Sequence, residues 1–183
     1  PSGIGKSTLF RLLLRFYDPN FGTISFNHID LKDLSFNEIY QRIGMLEQET
    51  YLFDDTIFNN IAIAKEGASL DEVKKAAEKA GIASLIDTLP EGYNTEMGQM
   101  ASRLSGGEKQ RIGIARIMLA CPDIIVMDEP TSALDVFHEK ELLHTLKTEY
   151  SDATWLIISH RMSTLTCCNR LYKLENGQLV QIN

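Results

Sequence analysis

The chain has 183 residues, 44% of them hydrophobic and 23% charged, which supplies one globular domain with a core and is too short for two large ones. A formal charge of −7 leaves no overall basic footprint, so nucleic acid is not an expected partner. Its three cysteines, Cys121 and the adjacent Cys167 and Cys168, make no disulfide framework, suit a reducing compartment and read as buried or incidental thiols.

In chain order, "PSGIGKSTLFRLLLRFYD" reads as a glycine-rich loop that feeds a helix with Leu9, Leu12, Leu13 and Phe16 on its apolar side. The opening Pro1-Ser2-Gly3 has none of the features of a signal peptide. After the turn cluster Asp18-Pro19-Asn20-Phe21-Gly22, "TISFN" alternates as a half-buried strand, and "IGMLE" gives a second strand ending at Gln48. From about Asp55 to Ala120 the pattern is mostly helical. Ser69 and Glu72 predict a capping box for a helix reaching Ala80 and closed by Gly81, and a further helix starts near Ser105. Strand patterns return in "DIIVMD", "TWLIIS" and "RLYKLE", with a helix from Val136 to Tyr150 between the first two. Asn176-Gly177 then predicts a hairpin into "QLVQI". Apolar strands alternating with helices predict a parallel sheet covered on both faces, an α/β fold. The helical middle reads as an insertion into it. The apolar runs, such as Ile124 to Met127, have the length of core strands and fall far short of the ~20 residues that cross a bilayer.

Two segments carry recognisable chemistry. A phosphate-binding loop needs glycines so that backbone N–H groups can close on the anion, a lysine for the β/γ-phosphates and a hydroxyl for Mg²⁺. "GIGKST" supplies these in Gly3, Gly5, Lys6 and Ser7, with Ser2, Ile4 and Thr8 completing the loop, and the helix behind it points its positive end at the same anion. The loop's usual opening glycine would precede Pro1. In "IIVMDEP" an apolar strand ends in two carboxylates, which are costly there unless they work at the strand's C-terminal edge. Asp128 is suited to hold Mg²⁺ through its water shell, and Glu129 to polarise an attacking water. The plain alternative is an ordinary strand end before a proline turn.

"LSGGEKQR" is the most specific segment. Ser105 and Glu108 predict a capping box, and the two glycines leave helix N–H groups free for an anion. Together these strings resemble the nucleotide-binding domain of ABC proteins over essentially the whole chain. The resemblance implies a P-loop NTPase fold with a RecA-like parallel-sheet core over 1–52 and 121–183 and an inserted helical signature subdomain over 53–120. It implies ATP hydrolysis with Mg²⁺, with Glu129, His160 (in "ISHR") and Gln48 as the catalytic group, and Ser7, Gln48 and Asp128 toward the metal. Ser105, Gly106, Gly107 and Glu108, with Asp135 of "SALD", are implied to act on the nucleotide of an opposite subunit in a head-to-tail dimer, identical or homologous.

The stretch "YLFDDTIFNNIAI" and "ISHRMST" are similar to exporter sequences, which implies docking to the coupling helices of a transmembrane domain at the cytoplasmic face of a membrane. Two positions depart from the common exporter wording: Glu47 replaces a frequent proline, and Gln99 replaces a glutamate before the signature. The competing expectation is a soluble ABC ATPase of DNA maintenance or translation. Against it stand the short span between phosphate loop and signature, the absence of sustained heptads and the acidic charge. The resemblance further implies that the strand feeding the phosphate loop and an adenine-stacking aromatic lie upstream of Pro1, the strand beside Thr154 to Ser159. The expectation is therefore that the isolated chain folds and binds ATP poorly.

Overall fold

The computed structural model describes residues 5–130, 136–150 and 152–182. Gly5, in a left-handed conformation (φ 101°) that glycine takes without a Cβ penalty, turns the chain into helix α1 (Lys6–Leu13). The face α1 buries differs from the expected one. Phe10 and Leu14, four residues apart, go into the core, with Leu13 packed against the same cluster. Phe16 is 53% exposed. The helical period ends before it, because Arg15 turns left-handed (φ 56°) and donates from its guanidinium to the carbonyls of Leu31 and Leu34 at 3.1 and 2.9 Å.

The alternation expected in "TISFN" is present, but only β1 (Ser25–Phe26) pairs, antiparallel to β2 (Ile29–Asp30). Asn27 and His28, both at positive φ, form the intervening turn, a pairing the sequence hid because Asn-His lacks the glycine that usually marks it. Helix α2 (Phe36–Arg42) starts on a Ser35–Glu38 capping box and leads into β3 (Ile43–Leu46), which stops two residues short of Gln48. Helices α3 (Ile57–Ala62), α4 (Leu70–Lys79), α5 (Ala83–Thr88) and α6 (Gly106–Ala120) follow. The Ser69–Glu72 box and left-handed Gly81 bound α4 as expected. After them come β4 (Ile124–Asp128), α7 (Val136–Glu149), β5 (Thr154–Ile158), α8 (Met162–Leu165) and the hairpin β6 (Tyr172–Glu175) and β7 (Gln178–Gln181). The hairpin turns at Asn176-Gly177, as the sequence predicts.

The central sheet is parallel, in the order β3-β4-β5, with Ile43 opposite Ile124 and Asp128 opposite Ile158. Side chains alternate along β4, and both of its faces are apolar. Ile125 and Met127 join the large cluster formed with α3 to α6, whereas Val126 joins Phe10, Leu14, Ile39 and Ile43 under α1 and α2. Covering on both faces is therefore complete at β4. It is only partial at β5, where Trp155 to Ile158 are half-buried at the edge of these three strands. Helix α6 reaches the sheet because Gly113 has no side chain: a Cβ there would lie 2.8 Å from Thr50 Oγ1 and 3.0 Å from Leu46 Cδ1. The C-terminal edges of β3, β4 and β5 thus lie side by side: β4 ends in Asp128, and β3 and β5 stop two residues before Gln48 and His160.

Candidate nucleotide site

The first turn of α1 faces the ends of β4 and β5. Ser7 donates from Oγ to Asp128 Oδ2 at 2.7 Å. Lys6 Nζ lies 3.1 Å from His160 Nε2, and the same Nε2 lies 3.1 Å from Glu129 Oε1. Residues 6, 7, 128, 129 and 160, distant in sequence, therefore converge at the C-terminal edge of a parallel sheet, beside a helix N-terminus. Ligands of α/β folds bind at this kind of edge.

His160 Nε2 holds either a proton or a lone pair. Protonated, it donates to Glu129; bare, it accepts from Lys6, so the ring can serve one partner at a time. Glu129 itself is held by its backbone, whose N–H donates to the Ile158 carbonyl at 2.9 Å. Its φ is 50°, a left-handed conformation that costs a residue with a Cβ on the order of 1–3 kcal/mol. Strain of this kind concentrates where a side chain must be aimed. His160 is 56% exposed and Glu129 28% exposed, so a ligand can reach both.

Mg²⁺ takes oxygen ligands at 2.0–2.1 Å in an octahedron, whose adjacent oxygens are therefore about 2.9 Å apart. Ser7 Oγ, while donating to Asp128 at 2.7 Å, keeps a lone pair that would face such an ion, with Asp128 placed to reach it through a bound water. Among the described residues no group of three or more His, Cys, Asp or Glu side chains could cage a metal. Gln48 lies two residues beyond the end of β3, the strand beside β4, exposed and without a hydrogen bond among the described residues. Ser2, Gly3, Ile4 and Asp135 lie outside the described residues. Thr8 is exposed on α1.

The signature segment forms a second feature, on another element. Ser105 caps α6, its Oγ accepting from the Glu108 N–H at 3.3 Å, while Glu108 Oε2 accepts from the Ser105 N–H and hydroxyl at 2.7 and 2.8 Å. Ser105 and Gly106 are exposed, leaving the first turn open to an outside anion. No hydrogen bond or ion pair among the described residues joins residues 105–108 to Lys6, Ser7, Asp128 or His160. One link to β4 runs deeper. Gln110, 1% exposed, donates from Nε2 to the carbonyl of Pro130, next to Glu129. Nothing in the sequence pointed to Gln110, because a glutamine between Lys109 and Arg111 reads as a solvated helix face. The thiols are plain: among the described residues none is in a disulfide, and burial, aided by Cys167, pushes Cys168 up to about 11. No described helix is long and apolar enough to cross a membrane.

A family model described as ABC transporter matches residues 1–132. The chain is 43% identical over 97% of its length to a probable ABC transporter ATP-binding/permease protein of Haemophilus influenzae, covering 32% of that protein. It is 44% identical over 99% of its length to an ATM1-type heavy metal exporter of Novosphingobium aromaticivorans, covering 30% of it. Among solved structures, a bacterial Atm1-family ABC exporter with ATP bound superposes with a TM-score of 0.91 at 44% identity, over 98% of this chain and 31% of that one. The chain thus spans about a third of the length of these relatives.

Proposed function

The chain belongs to the ABC transporter family, and from that premise we propose that it binds and hydrolyses Mg-ATP to drive export through an associated transmembrane domain. The observation that carries this reading is the meeting of Lys6, His160 and Glu129 beside the Ser7–Asp128 pair.

In this reading residues 2–8 wrap the phosphates, with Lys6 leaving His160 for the β/γ-phosphates. Ser7, Asp128 and Gln48 are the residues that would hold a Mg²⁺, whose charge would offset that of the phosphate oxygens. Glu129 orients a water and takes its proton as the water oxygen bonds to the γ-phosphorus. The bond from that phosphorus to the bridging oxygen breaks, giving ADP and inorganic phosphate. His160, released by Lys6, turns its Nε2 to the γ-phosphate. The segment 53–120 acts as the signature subdomain, and Ser105, Gly106, Gly107, Glu108 and Asp135 close on the nucleotide of a partner arranged head to tail. The openness of Ser105 and Gly106, with no hydrogen bond to this chain's own Lys6 among the described residues, supports that division.

A groove of ≈ 780 Å³ lined by Phe53, Phe58, Ile63 and Lys65 follows Gln48 in sequence and suits a short helix of the transmembrane domain at the cytoplasmic face. The relatives are permease-linked transporters and exporters, and none favours a role in DNA maintenance or translation.

Replacing Glu129 by Gln tests the chemistry. Turnover in the assembled transporter drops about 10²–10⁴-fold, the usual worth of a general base, while ATP still binds. Near-normal hydrolysis by that variant overturns the assignment.

A further inference from the structure

Glu139, on α7, is fully buried at 0% exposure, an unusual setting for a carboxylate. Among the described residues, its hydrogen-bond partners lie on one short segment. Arg161 donates to Oε2 from its guanidinium at 2.8 Å, and Ser163 and Thr164 donate to Oε1 at 2.9 and 2.6 Å. That segment starts at the residue after His160. On the near side, the Arg161 N–H donates to Ser159 Oγ at 3.0 Å. His160 therefore projects from a bend fastened on both flanks, and Glu139 supplies the fastening on the α8 side.

We propose that Glu139 is a positioning residue that keeps His160 in reach of Lys6 and Glu129 by anchoring Arg161, Ser163 and Thr164 to α7. The proposal rests on the reading of His160 as part of the hydrolytic site. A carboxylate is needed there for both of its properties. Its charge answers Arg161, and its two oxygens accept three donors at once, which no neutral side chain of that size does as well. Burial pushes the Glu139 carboxyl up, and the hydrogen bonds from Thr164, Arg161 and Ser163 outweigh burial and hold it below the usual carboxylate range. Glu139 also lies four residues after Asp135, so one side chain ties the histidine segment to the helix that follows the "SALD" string.

Glu139→Ala would leave Arg161 without this partner and threatens folding. Glu139→Gln keeps an acceptor for Ser163 and Thr164 while weakening the grip on Arg161. Steady-state ATP hydrolysis is measured on the assembled transporter for wild type, E139Q, H160A and the double variant. An ångström-scale displacement of a reacting group costs roughly 10²-fold. We therefore expect E139Q to lower kcat on that order, with KM for ATP within about twofold, and to cost nothing further in the H160A background. Equal losses in both backgrounds, or wild-type kcat for E139Q beside an impaired H160A, overturn the role of Glu139 alone. Wild-type turnover by H160A overturns the reading of the site, and this proposal with it.

Discussion

At Glu129 the chain places a side chain on a backbone conformation that glycine takes at no cost. The geometry explains the tolerance: the peptide is held by the Ile158 carbonyl, and the carboxylate then faces His160. This makes a prediction separate from catalysis. Glu129→Ala and Glu129→Gly both remove the carboxylate and both abolish rapid hydrolysis. In ordinary helices or strands Gly is the less stable of the two by about 0.5–1 kcal/mol. Here the order reverses, with Gly the more stable by on the order of 1 kcal/mol, because alanine retains the left-handed strain. Denaturant melts of the two variants decide it, and a more stable Ala variant contradicts the strained backbone.

Among the elements, α6 carries the most consequence, since it joins the signature turn to the sheet. Its contact with β3 depends on Gly113. Gly113→Ala forces a methyl against Thr50 and Leu46, at a cost of about 1–3 kcal/mol, the usual range for overpacking. The same shift disturbs the stretch from Leu46 to Thr50 that contains Gln48. Lowered thermal stability with weakened Mg-ATP hydrolysis is the expected outcome; a variant with unchanged melting places α6 elsewhere. The elements were legible in sequence where local chemistry decides them. Ser69–Glu72 and Ser105–Glu108 announced helix starts, and Asn176-Gly177 announced a hairpin, because these signals act within four residues. Where tertiary packing decides, the reading failed. The face of α1 was misjudged because Arg15, tied to the distant Leu31 and Leu34 carbonyls, ends the helix before Phe16. The β1–β2 hairpin was missed because its turn lacks glycine. In the candidate site, the motifs singled out Lys6, Ser7, Asp128, Glu129 and His160, which the fold brings together. Gln110 and Glu139 were hidden, since a polar residue on a helix looks solvated until the neighbouring segment is known to cover it.

For the molecule as a whole, the two candidate anion sites lie on α1 and α6 and share no hydrogen bond among the described residues. In the function proposed above, such a chain completes its site with a second copy or a homologue, which is the central claim of the account. Mixing two defective proteins examines it most directly. Ser105→Arg blocks the signature turn while leaving that chain's phosphate loop intact. Lys6→Ala cripples the phosphate loop while leaving that chain's signature intact. Each homodimer is inactive. In the mixed dimer, Lys6 of the first variant meets the unaltered signature of the second, restoring one of two sites. ATP hydrolysis is measured on mixtures after subunit exchange, with heterodimer formation verified independently. The account predicts activity well above either parent, approaching that of a dimer with one working site. Heterodimers that form and hydrolyse no faster than their parents contradict it.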